Sequence, residues 1–378
     1  MMQHPPRLLT PSLLVLQFLV IVGVVWLKLR ANASYFITPD SQYYLQAAHN
    51  LLKGKGYVID FEGKETFCAI WPVGYACCIA GVSWLTTFPL EIASKCVNLA
   101  AVGGCFWLIY RRFSDKAWFV GLGLMSSSFI QLYTNTWSEA LFIFFVLGFA
   151  FSFEKKNQIQ ISAHELEWMV WLIGAFLVRY AAVFLFIPLI WYKKWRVVLF
   201  YSLFIGIYLS YNFYHTHTFT GGHGFWPEEA FLSRIVRGLS GVGEEVLFFA
   251  LRDWDLKTIV SNSPLKWVIY GVVLAQLALV GVVLWKLFFI EKDKPKKHFS
   301  GKIVLEIAFA YLFFTIIIYL TDESIESLYF RRLVPFSALS VVAGLGWVSS
   351  QKAIFEQTKW YFVVFFVLSV VHAIPKSY

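Results

Sequence analysis

Apolar residues fall in long runs, separated by short clusters of charge. Runs bounded by charged or turn residues occur at about 9–29, 90–110, 116–132, 137–153, 166–178, 181–192, 197–219, 267–289, 303–320, 333–350 and 360–374. Such runs predict membrane helices, because a bilayer core of about 30 Å takes about 20 helical residues to cross. The reading is an all-α polytopic membrane protein with about eleven membrane helices, in one transmembrane domain over residues 1–378. The first run is too long for the apolar core of a signal peptide and has no small-residue cleavage site, so an uncleaved helix is expected. A further apolar stretch, about 69–87, is interrupted by Pro72, Gly74 and Gly81 and is rich in aromatics. It predicts a helix lying on the membrane surface.

Composition supports the class. Hydrophobic residues are 58% of the chain and charged residues 15%, against about 45–50% and about 25% in soluble domains. That excludes disorder, collagen, coiled coil and a small disulfide scaffold. The net charge of +9 fits loop lysines facing anionic lipid, so no nucleic-acid partner is expected. The five cysteines, Cys68, Cys77, Cys78, Cys96 and Cys105, show no CxxC spacing and read as small apolar filler.

Charge also sets the topology. With the 69–87 stretch on the surface, every basic cluster between helices falls on one side: Arg111, Arg112 and Lys116, then Lys155 and Lys156, then Lys193, Lys194 and Arg196, then Lys292 to Lys297, then Lys352 and Lys359. That side is the cytoplasm, which places the N-terminus inside. Outward loops then run about 30–89, 220–266 and 321–332, and they hold most of the acidic residues. Residues 166–192 form a pair of arms of about 12 residues meeting at Arg179 and Tyr180. The arms are too short to cross, so the tip is expected inside the bilayer depth. An arginine there needs a cavity or an anion.

Several polar residues could carry chemistry. Asp40 lies in Thr38-Pro39-Asp40-Ser41, a helix start with Gln42 to Leu52 helical after it; it is an N-cap or a general base at the membrane edge. Glu139 opens a helix after Ser138 and is a cap or a second acid in the same cavity. Glu91, Lys95 and Asn98 share one helix face. Arg331 and Arg332 stand on the outward side, against the charge bias, where a lipid phosphate explains a pair of arginines better than anchoring does. His215, His217 and His223 cluster before Glu228 and Glu229; they are interfacial histidines or metal ligands. No P-loop, dinucleotide fingerprint, GxSxG, HExxH or EF-hand is present, which argues against a nucleotide-driven pump.

The order of these features resembles a known family. An early Asp40 follows the first helix. Trp71-Pro72-Val73-Gly74-Tyr75 opens the surface helix, and Lys95 and Asn98 stand on the next. Arg111-Arg112-Phe113, Ser138-Glu139, Arg179-Tyr180-Ala181 in the hairpin, and Arg331 with Pro335 complete it. The pattern is similar to the GT-C superfamily of integral membrane glycosyltransferases, in particular the bacterial branch of protein O-mannosyltransferases and the lipid A aminoarabinose transferase. The resemblance implies an inverting glycosyltransferase of the bacterial inner membrane. Its active site would face outward and move a sugar from a polyprenyl-phosphate carrier to a lipid, glycan or protein acceptor. It implies Asp40 as the catalytic carboxylate, Glu139 as a second acid and Arg331 as a carrier-phosphate ligand. Lys95 stands where relatives often have Arg; Arg332, Lys95 and Arg179 are the other candidate cations for the phosphate. Related families differ in metal use, and Asp40 with Glu139 could ligate a divalent ion. The alternatives are a transporter or flippase of a lipid-linked sugar, or a structural subunit of an envelope complex.

Overall fold

A computed structural model describes residues 9–32, 36–61, 63–156, 163–221, 231–248, 301–321, 328 and 330–375, with four single positions between 267 and 278. Helix α1, Leu9–Ala31, is apolar along its length and ends on Lys28 and Arg30. Helix α2, Pro39–Leu52, starts one turn earlier than the sequence suggests. Two short strands follow, β1 Val58–Phe61 and β2 Lys64–Phe67, paired antiparallel with Val58 opposite Phe67 and Phe61 opposite Lys64. This hairpin corrects the purely helical expectation. Gly63 takes the positive φ of +77° that its turn requires. Asn50 ties α2 to β1 through Nδ2 and the Val58 carbonyl at 2.8 Å.

Helix α3, Gly74–Thr86, is the stretch expected on the membrane surface. Its 13 residues reach only about 20 Å, short of a bilayer core. Helix α4, Leu90–Phe113, continues through a 3₁₀ turn at Ser114–Lys116, helix α5 Ala117–Gly121 and a second 3₁₀ turn at Leu122–Met125. Helix α6, Ser127–Thr134, restarts after Ser126, whose side chain caps it. Helix α7, Glu139–Lys156, follows after four residues. The expected single span at 116–132 is therefore broken.

Helix α8, Ala163–Val178, is followed by a 3₁₀ stretch at Tyr180–Leu185 and helix α9, Phe186–Trp191. This is the short hairpin read from the sequence, with Arg179 extended at its tip. Helix α10 is Trp195–Thr216 and α11 is Phe231–Phe248. An amphipathic helix thus occupies part of the outward loop expected at 220–266, and it packs on the last part of the bundle through Ser337 and Glu245, 2.7 Å apart. Helices α12, Lys302–Thr321, α13, Phe330–Ser350, and α14, Lys352–Ala373, complete the fold. Lys352 and Lys359, expected in a loop, lie in the first turns of α14.

Among the described residues six helical runs are long and apolar enough to cross a membrane, and the pair α6 and α7, bent by 117°, makes a seventh if counted as one. The chain is a polytopic helical membrane protein. The count of about eleven is not established, and the expected helix at 267–289 lies largely outside the described residues. Helix α7 runs through the middle of the bundle, with Phe142, Phe149 and Phe153 fully buried. Its approach to α8 is close because Gly148 lies under Trp171 and Gly174 lies under Phe145.

Candidate active site

The site begins with the cap of α2. Thr38 Oγ1 accepts from the Ser41 backbone N–H at 3.4 Å, and Ser41 Oγ accepts from the Thr38 N–H at 3.1 Å. Capping falls to Thr38, not to Asp40, so the Asp40 carboxylate is free for other work. The link between α6 and α7 packs against this cap. Trp137 Nε1 donates to Thr38 Oγ1 at 3.0 Å, Ser41 Oγ donates to the Thr136 carbonyl at 3.1 Å, and the Thr136 N–H donates to the Phe36 carbonyl at 3.3 Å. From the other side Asn98 Nδ2 donates to the carbonyls of Asn135 at 2.7 Å and Tyr133 at 3.2 Å. These bonds hold the non-helical backbone between α6 and α7 inside protein, where it must be satisfied internally. They also place Glu139 at the buried start of α7.

Glu139 is wholly buried. One of its oxygens, Oε1, receives two arginines: Arg331 Nε at 2.5 Å and Arg179 Nη1 at 2.5 Å. Arg331, second residue of α13, turns its Nη1 onto the Asp40 carboxylate, whose side chain is 31% exposed. The Arg331 guanidinium also lies 5.0 Å from the centre of the Trp137 ring, a favourable cation–π position. Arg179 donates to Ser138 Oγ at 3.2 Å, and Ser138 shares a hydrogen bond with the buried Tyr44 hydroxyl at 3.1 Å. Burial holds the Tyr44 phenol above its usual value, against the opposing pull of Arg179, so the hydroxyl keeps its proton.

Two guanidiniums therefore meet two carboxylates, and the formal charges sum to zero. Pairing is what makes four such groups tolerable at this depth. Two atoms remain over: Glu139 Oε2 and Arg179 Nε are buried with no hydrogen-bond partner. Asp40 is the member most open to solvent.

The structure thus brings Asp40, Glu139, Arg179 and Arg331 together from four separate segments. Lys95 is not among them. It donates to Thr136 Oγ1 at 2.7 Å. Arg332 is half-buried, and its carbonyl accepts from the Tyr311 hydroxyl at 2.8 Å. His215 packs its ring on Phe67, 4.9 Å away, and His217 sits past the end of α10 with a φ of +55°. His223 lies outside the described residues. Among the described residues no group of three or more potential metal ligands is gathered. Asp40 and Glu139 each face an arginine, an arrangement that does not fit a divalent cation. Tyr44 and Trp137 were not singled out from the sequence, whereas Ser138 was, as part of the Ser138-Glu139 pair. Tyr44 stands four residues after Asp40, on the same helix face, and Trp137 directly precedes that pair; those spacings were the available signal.

No protein-family model matches the chain, and no curated protein matches it in sequence. Solved structures similar to it include two of one protein. One is ArnT from Cupriavidus metallidurans bound to undecaprenyl phosphate, 13% identical, covering 88% of this chain and 59% of that one, with a TM-score of 0.48. The other is the same protein in its apo state, 13% identical, covering 95% and 77%, with a TM-score of 0.41. This chain spans about three fifths of the length of the first of these structures.

Proposed function

We propose that the protein is a membrane glycosyltransferase that takes a sugar from a polyprenyl-phosphate carrier and places it on an acceptor at the outer membrane face. The observation that carries this reading is Arg331 bridging Asp40 and Glu139, with Arg179 on the same Glu139 oxygen. The order of motifs in the sequence points the same way.

In the proposed reaction an acceptor hydroxyl attacks the anomeric carbon of the carrier-linked sugar. The new C–O bond forms as the bond from that carbon to the phosphate oxygen breaks, and the phosphate leaves with the electron pair. Asp40, the half-buried carboxylate most open to solvent, takes the acceptor's proton. Arg331 and Arg179 face the departing phosphate. A guanidinium fork suits phosphate oxygens, and cations already fixed in place stabilise charge as it develops. Glu139 holds both arginines in position and offsets their charge before the carrier arrives. Direct displacement inverts the anomeric configuration.

The test is purified protein in lipid vesicles with polyprenyl-phosphate sugars, followed by release of free polyprenyl phosphate. The expected result is release that needs Asp40. Movement of intact carrier across the bilayer without release would identify a flippase instead and sink this reading.

A further inference from the structure

Lys95 is a buried charge outside the Asp40 cluster. It stands in α4 with 5% of its surface exposed. Among the described residues its ammonium makes one hydrogen bond, to Thr136 Oγ1, and no ion pair. That hydroxyl is shared with Ser94 Oγ at 2.9 Å. Glu91, one turn away on the same helix, is exposed. A buried ammonium has three donors and a charge, and a single hydroxyl satisfies neither.

The position lies at the bottom of a groove of about 300 Å³ between α1 and α4, lined by Trp26, Leu29, Arg30, Ile37, Glu91, Ile92 and Lys95. The walls are apolar, and Trp26 and Ile92 are exposed on the outer surface of the bundle. Arg30 lies over the Trp26 ring at 5.8 Å. An indole and an arginine at the end of a membrane helix mark the level of lipid headgroups. The groove therefore offers an apolar trough with two cations, one buried and one exposed, against one exposed acid.

We propose that this groove is a binding site for a bilayer phospholipid with a net negative head. Its phosphate would sit between Lys95 and Arg30 and its chain along Trp26 and Ile92. A bilayer lipid fits better than the carrier, because none of the four charged groups of the active site lines the groove. Occupancy would be felt at the active site: Lys95 holds Thr136, three residues before Glu139 in the backbone link that positions it.

Native mass spectrometry of the full chain in detergent tests this, with dioleoyl phosphatidylglycerol and dioleoyl phosphatidylcholine as probes. Phosphatidylglycerol should bind at one site at least about fivefold more tightly, the scale of one cation near an anionic headgroup. Lys95→Met should remove that preference, and Arg30→Gln should weaken it. Glu91→Gln should strengthen it, an outcome that a misfolded variant would not give. Phosphatidylglycerol should also raise the melting temperature of the wild type and not that of Lys95→Met. Equal binding of the two lipids, or unchanged preference in Lys95→Met, would overturn the site. Displacement of phosphatidylglycerol by undecaprenyl phosphate at equal concentration would overturn the choice of occupant.

Discussion

Arg331 and Glu139, 192 positions apart in the chain, meet through Nε and Oε1 at 2.5 Å in a fully buried contact. The contact joins the start of α13 to the start of α7. It also fixes the guanidinium whose other edge reaches Asp40. One ion pair therefore sets both the packing of two membrane helices and the geometry of the half-buried carboxylate.

The pair should show strong coupling. Glu139→Gln leaves Arg179 and Arg331 facing each other with only Asp40 to offset them. Breaking a buried pair by removing one partner costs about 3–5 kcal/mol. The double variant Glu139→Gln with Arg331→Gln restores a neutral sum, with Arg179 and Asp40 left. Thermal unfolding in detergent should find the double variant more stable than the sum of the single losses implies. Simple additivity would mean that the pair does not hold the helices together.

Asp40 and Thr38 should separate chemistry from folding. Asp40→Asn is nearly isosteric and leaves the Thr38 cap intact, but it removes one of the two carboxylates facing the arginines. Because Asp40 is 31% exposed and water screens the loss, the melting temperature should fall less than for Glu139→Gln. Sugar transfer should fall by about 10²–10⁴, the usual loss of a general base. Thr38→Ala should do the reverse: it removes a cap worth about 1 kcal/mol and lowers stability while leaving part of the activity. An Asp40→Asn variant with more than half the wild-type rate would remove Asp40 from the mechanism.

The long helices were legible because a membrane admits little else: backbone in lipid must bond to itself, so apolar runs become helices. The link from Asn135 to Ser138 was legible too, as the gap between the runs at 116–132 and 137–153, but the break around Ser126 was not. Apolar residues continue through Leu122, Leu124 and Leu132, and the break depends on Ser126 capping α6 and on the Ser127 N–H reaching Ser369 Oγ, 242 positions away. The β-hairpin was missed because strands of four residues carry little periodicity; only Gly63 in its turn hinted at it. Within the site, Asp40, Glu139, Arg179 and Arg331 stood out singly as charges in an apolar chain. Their pairing did not, because Asp40 and Arg331 are 291 residues apart. Lys95 was a candidate for the same site because members of the family that the sequence resembles often have Arg there, yet its ammonium bonds Thr136 Oγ1 and neither Asp40 nor Glu139.

Arg331 and Arg332 should differ although adjacent. Arg331→Lys keeps the charge but loses the fork that spans Asp40 and Glu139, so partial activity should remain. Arg331→Ala should leave little. Arg332→Ala should cost less, since Arg332 is half-buried and outside the four-charge cluster. Carrier binding and transfer rate, measured separately, should both fall for Arg331 variants, because the phosphate gains charge as it departs. The opposite ranking would place the phosphate elsewhere.

Two glycines of α3 should respond in opposite ways to one methyl group. A Cβ on Gly74 would lie 2.6 Å from the Leu177 carbonyl oxygen. That atom is backbone and cannot rotate aside, so Gly74→Ala should push α3 off α8 at a cost of about 1–3 kcal/mol. A Cβ on Gly81 meets nothing within 4 Å, and Gly81→Ala should stabilise the helix by about 0.5–1 kcal/mol. Melting temperatures of the two variants in the same detergent decide the matter; a neutral Gly74→Ala would refute the close approach.

The orientation across the membrane can be read from the two ends of α7. Glu139 opens that helix and Lys156 closes it, so 18 residues separate the ends by about 27 Å, close to the thickness of a bilayer core. The far end is marked by Arg112 and Glu154, 2.7 Å apart, and by Tyr192, whose ring packs on Phe153. Lys193, next to Tyr192, is exposed at that end, and Asp60 is exposed on the β-hairpin beside α2. Basic clusters favour the cytoplasm, so the end with Lys193 should be inside and Asp60 outside. Single cysteines at the two positions, in a chain cleared of its own five, test this with a membrane-impermeant maleimide. Cys77 and Cys78 are exposed and must be replaced first. Intact cells should label position 60 and not position 193, and inverted vesicles should give the reverse. Labelling of position 193 in intact cells would turn the protein over, put Asp40 on the cytoplasmic side and rule out transfer at the outer face.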